Sequence, residues 1–139
     1  MERGDFVTGI DHELAESIVS AARTSLGDTL RSVVYFTPSQ FDVLYSRTDL
    51  YESGAEVRDA KSRLVDLEMM GFAEAPLRTV LTETSAPSSI GPYEFTVRFH
   101  EEGFVVRVVR GNHGVLLTTD AMDVNAFEET VDAFNRLLE

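Results

Sequence analysis

The chain has no cysteine and only one lysine, Lys61, among its 139 residues. Without cysteine there is no disulfide, no thiolate nucleophile and no cysteine-ligated zinc or iron–sulfur site. The twelve basic residues are otherwise all arginine, and they face twenty-four acids for a formal net charge of −12. That surplus of carboxylates argues against a basic face for nucleic acid or anionic membrane. No apolar run approaches the roughly 18 residues of a membrane span. The polar start "MERGDFVTGIDHE" lacks the apolar stretch of a signal peptide. A cytoplasmic protein is expected.

Heavy acidity with scarce lysine points to a high-salt cytoplasm. Carboxylates hold water and cations, whereas lysine stems expose apolar surface that concentrated salt drives together. The alternative is a mesophilic acidic protein short of lysine through genomic composition. With 43% hydrophobic and 26% charged residues, the composition is globular. The length suits a single domain over 1–139.

Leu14, Ile18, Ala21, Ala22 and Leu26 recur at helical spacing, with Thr8 or Asp11 to cap the start and Gly27 to end it. "RSVVYF" (31–36) and "FDVLYS" (41–46) read as strands joined by Thr37-Pro38-Ser39-Gln40. Asp49 and Glu52 form a capping box for a helix running to about Met70, with Val57, Ala60, Leu64 and Leu67 on its stripe. Met69 and Met70 finish this core helix, and Gly71-Phe72 reads as its stop. Residues 77–83 fit either helix or strand, and 84–92 is a Ser/Pro/Gly-rich loop.

"YEFTVRFH" (93–100) alternates strictly and leads into "FVVRVVR" (104–110), so a hairpin is expected. A two-residue Glu102-Gly103 turn would set Phe99 opposite Val106 and Arg98 opposite Arg107, while a bulged turn would shift the register. "VLLTT" (115–119) is the next strand, reached through a four-residue Gly111–Gly114 loop with His113 at its exposed tip. A last helix carries Phe127, Val131, Phe134 and Leu138 on its buried stripe, with Asn125 and Glu128 as a capping box.

The order is α-β-β-α-β-β-β-α with residues 77–83 left open. It predicts an α+β domain with an antiparallel five- to six-stranded sheet and helices packed on it. This order is similar to the roadblock and longin-like (profilin-like) domains, in which helices cover both faces of a five-stranded antiparallel sheet. "RSVVYFTPSQFDVLYSRTDL" and "EFTVRFHEEGFVVRVVRGNHGVLLTTD", with Tyr45-x-Arg47-x-Asp49 and Thr96-Val97-Arg98-Phe99, resemble a group of small acidic haloarchaeal proteins of unassigned function. Neither resemblance brings catalytic residues with it.

Arg98 and Arg107, with His100 beside them, form a candidate anion site. Like charges across a sheet repel unless an acid or anion lies between them, and a carboxylate from a covering helix or a second subunit would serve equally well. The same face carries Val105, Val109 and Leu116, too apolar to stay wet, so a helix or a partner surface should cover it. Tyr45, Arg47 and Asp49 alternate at a strand end, but a helix cap and its ion pair account for them. His12, His100 and His113 are far apart, with neither metal-ligand spacing nor a serine elbow, and no phosphate loop is present. No metal or other cofactor is expected. The leading expectation is a non-enzymatic interaction or regulatory scaffold that pairs with itself or another protein, not with nucleic acid or membrane. A small-ligand sensor, with an anion pocket between sheet and helix, is the alternative.

Overall fold

The computed structural model describes residues 6–47, 54–83 and 90–139. Helix α1 (His12–Leu26) starts where the Asp11 carboxylate accepts from the Leu14 amide and stops at Gly27, whose φ of 56° suits glycine. Strands β1 (Leu30–Phe36) and β2 (Phe41–Ser46) follow as an antiparallel hairpin. Helices α2 (Gly54–Glu68) and α3 (Met70–Glu83) come next. Strands β3 (Thr96–His100), β4 (Gly103–Arg110) and β5 (His113–Thr119) form a meander, and α4 (Val124–Leu137) closes the chain.

The five strands make one antiparallel sheet in the order β2-β1-β5-β4-β3, leaving β2 and β3 as its edges. Both faces are covered. Ile18 and Ala22 of α1 and Phe127, Val131 and Phe134 of α4 pack on Val33, Val106, Val108 and Leu117. On the other face Val65 of α2, with Leu64, Met69 and Phe72, packs on Val34, Phe36, Val105 and Leu116. This explains why β1, β4 and β5 read as nearly continuous apolar runs, since strands covered on both sides need apolar side chains at every position. Burying a Phe or Val side chain fully contributes about 1.5–3 kcal/mol, and Phe36, Phe127, Phe134, Val33 and Val34 are all at 0% exposure.

Several expectations change. The long helix breaks at Met69, and Gly71 lies in the first turn of α3 rather than past a helix end. Residues 77–83 are helical despite Pro76, which occupies the interior of α3. The Asp49–Glu52 capping box lies outside the described residues. Strand β3 begins at Thr96, so Tyr93 and Phe95 precede it. Asp123, not Asn125, caps α4 by accepting from the Ala126 amide.

The β3–β4 hairpin pairs His100 with Gly103, Phe99 with Phe104 and Arg98 with Val105. The turn is therefore Glu101-Glu102, and Arg107 lies opposite Thr96 rather than Arg98. The shift is by two residues, which keeps every side chain on its original face, so apolar patterning cannot distinguish the two registers. Arg110 pairs with His113, which makes the β4–β5 turn Gly111-Asn112 and moves His113 from a loop tip into a strand. Gly111 has a φ of 59° while no other residue type has positive φ among those described. This is the requirement of a two-residue turn with glycine at its first central position.

Candidate functional site

Arg98 and Arg107 do share one sheet face, as diagonal neighbours, and the residue between them comes from α2. Glu68 accepts from Arg98 Nε at 2.8 Å through Oε2 and from Arg107 Nη1 at 3.3 Å through Oε1. Arg107 Nη2 donates to Glu74 of α3 at 2.8 Å and to the Thr96 hydroxyl at 3.0 Å. Burial works against the charge on Arg107, but Tyr93 and Glu74 outweigh it and raise its pKa. The backbone of α3 lies directly over this guanidinium: a Cβ on Gly71 would sit 2.9 Å from Arg107 Cζ and 3.0 Å from Val109. The predicted anion position is thus occupied by the chain's own carboxylates, and the pair pins the α2–α3 junction to β3 and β4. Glu68 and Glu74 were not among the sequence candidates. A buried glutamate at the end of an amphipathic helix is not distinguishable by pattern from the solvated acids around it.

Val105 and Leu116 are buried beneath α2, and Val109 packs partly against the same cluster. The cover for this half-apolar face comes from within the chain. These three side chains are not available to a second subunit unless α2 and α3 move.

His100 lies apart from the two arginines' network and lines a different feature. Between α2 and the β3–β4 turn is a cavity of about 310 Å³ lined by Arg31, Lys61, Leu64, His100, Glu101, Glu102, Gly103, Phe104, Val105 and Thr118. Lys61, Val105 and Thr118 are buried and make its floor, while His100, Glu101 and Glu102 are exposed at its rim. Burial first, and the charge of Arg31 second, bring the Lys61 pKa down to about 8. The sequence carried one signal for this residue, its singularity among the basic side chains.

Other candidates resolve into structure. Arg47 donates to Asp120 at 2.6 Å, and Arg31 to the other oxygen of that carboxylate at 2.9 Å. These bonds, Arg47 first, hold the Asp120 carboxyl below its usual range. Tyr45 carries the Arg23 guanidinium over its ring. His12 stacks on Phe6 beside an open groove of about 580 Å³ along α1 and β2. Among the described residues no cluster of three or more His, Asp or Glu side chains is placed to hold a metal ion. No helix of the described residues is long and apolar enough to cross a membrane.

The sheet edge at β3 is the other exposed feature. Phe99 is 71% exposed although it leans edge-on against Phe104. Leu67 and Met70, on either side of the Glu68 anchor, are exposed, as is Leu77 further along α3. Phe99 shares its sheet face with Val97, which packs in the α1–α4 core, so it faces the opposite side of the sheet from Leu67, Met70 and Leu77.

A five-stranded antiparallel sheet in this order, with a helix pair on each face, is a roadblock-like α+β fold. It is similar to the structure of the gliding protein MglB from Thermus thermophilus, with a TM-score of 0.59 over 99% of this chain and 97% of that one, at 15% identity. The chain belongs to the family described as a domain of unknown function, DUF7522, which matches residues 16–139. No curated protein sequence matches it.

Proposed function

We propose that the protein is a non-enzymatic interaction or regulatory scaffold domain of a salt-adapted cytoplasm, working as a homodimer joined along β3. The observation that carries this reading is the β3 edge, unpaired among the described residues, with Phe99 standing 71% exposed beside it. An open edge offers backbone N–H and C=O groups to another strand, and natural chains normally blunt such an edge or pair it. The likeness in fold to the gliding protein MglB is compatible with a scaffold role. The acidic surface, at net charge −12, supports solubility in concentrated salt.

Light scattering in molar KCl tests the reading. The expected mass is twice the 15.5 kDa of the chain. Phe99→Glu should return it to a monomer with an unchanged circular dichroism spectrum. A wild-type monomer at all concentrations would remove the dimer, and full stability in salt-free buffer would remove the salt adaptation.

A further inference from the structure

Strand β2 is the second open edge of the sheet and, among the described residues, pairs only with β1. Along it lies a cleft of about 410 Å³, with Val43, Leu44 and Ser46 of the strand between Phe6 on one side and Val57 and Arg58 of α2 on the other. We propose that this cleft takes a short, acidic, extended segment of a partner protein, added to β2 as a further strand. The proposal concerns the edge opposite β3 and is independent of whether the chain forms dimers.

Three observations carry it. First, backbone groups of β2 are presented to the cleft. The Phe41 carbonyl accepts from Arg58 Nη1 at 2.9 Å, a bond made outside the β1–β2 ladder. Amides and carbonyls of successive residues alternate between the two edges of a strand, so those of Val43 point the same way as those of Phe41. An added strand bonds to such groups, and its side chains set the specificity. Second, the cleft is bracketed by positive charge that no carboxylate of the chain answers. Arg58 lies over the Phe41 ring at 4.0 Å, and Arg23 of α1 lies over the Tyr45 ring at 5.2 Å. Both are exposed, and among the described residues neither meets an acid, whereas Arg31, Arg47, Arg98 and Arg107 all do. The register shift between Val33 and Val34 leaves Leu44 out of the ladder and sets Phe41 and Tyr45 on opposite faces of β2. The two guanidiniums therefore flank the edge from both faces, seated on rings that leave N–H groups for a carboxylate. Third, a polar group in the cleft is unmet. Ser46 Oγ is buried without a hydrogen-bond partner among the described residues, and the backbone of an added segment would supply one. The irregularity at Leu44 keeps that segment short.

Fluorescence anisotropy on the full chain at constant KCl tests the proposal, with a dye-labelled peptide made of a run of valines flanked by paired glutamates. The anisotropy should rise with the wild type and stay flat when lysines replace the glutamates of the peptide. Arg23→Met and Arg58→Met, at exposed positions, should keep the circular dichroism spectrum and each weaken binding about fivefold, the size of one exposed ion pair. N-methylation of the peptide's valine amides should abolish binding, because an added strand needs those donors. No binding by the wild type, or equal binding of the lysine peptide, overturns the proposal. Binding unchanged by both arginine substitutions would place the peptide elsewhere, at the β3 edge for instance. Binding that survives N-methylation would show that no strand is added, and either result overturns the assignment.

Discussion

Glu68 Oε1 lies 3.3 Å from Arg107 Nη1, with the two side chains 0% and 1% exposed. This pair couples the end of α2 to the middle of β4, and Arg98 completes it from β3. Removing one member of a buried pair leaves an uncompensated charge and costs about 3–5 kcal/mol. Glu68→Ala should therefore lose that much stability in urea unfolding at constant KCl. Glu74 also meets Arg107, but its side chain is 42% exposed. Exposed pairs contribute about 1 kcal/mol or less, so Glu74→Ala should cost much less than Glu68→Ala. Equal losses would show that burial is not what sets the energetics of the network.

Gly71 gives a separate test of the same junction. A methyl group there would press on Arg107 Cζ at 2.9 Å and Val109 Cγ2 at 3.0 Å. Overpacking typically costs about 1–3 kcal/mol. Gly71→Ala should destabilise by that amount although alanine favours helix, where an exposed helical glycine replaced by alanine would gain about 1 kcal/mol. A gain in melting temperature would mean that α3 is not seated on the guanidinium.

Legibility followed physical simplicity. Helices α1 and α4 have one wet side and one dry, so spacing alone located them, and Ile18, Phe127 and Phe134 are core residues as their periodicity implied. The three-layer arrangement showed in strands apolar at every position, such as Val33 through Phe36. What failed depended on side chains distant in sequence. Gly71 carries the mark of a helix stop, yet its small size serves the approach to Arg107. The β3–β4 register slipped by two because both registers match apolar to apolar. At the candidate site, two arginines on one face could be read from alternation, but Glu68 and the buried Lys61 depend on how α2 lies across the sheet.

His113 bridges two elements. Its Nε2 lies 3.1 Å from the Leu138 carbonyl, which can only accept, so Nε2 carries the proton. In the neutral imidazole Nδ1 then accepts from the Tyr35 hydroxyl at 3.0 Å. Tyr35 is itself buried, which raises its pKa and keeps the hydroxyl a donor. His113→Phe removes both bonds and leaves that hydroxyl without its partner, a loss of about 1–3 kcal/mol. Faster amide exchange in the last turn of α4 should accompany it. Unchanged exchange at Leu138 would mean that the histidine does not fasten the C-terminus.

Lys61 predicts a pH dependence opposite in sign to that of a salt-bridged lysine. Burial, and then Arg31, lower its pKa from 10.5 to about 8 in the folded chain. Between those values the unfolded chain binds the extra proton, so stability rises with pH across the window and is lowest below about pH 8. The full change is on the order of 3 kcal/mol. Lys61→Met lacks this titration, so the difference between wild type and variant isolates it from every other group. Urea unfolding below pH 8 and at about pH 10, at constant KCl, should show the wild type gaining on the variant as pH rises. A flat difference would mean that burial and Arg31 do not lower the Lys61 pKa in the folded chain.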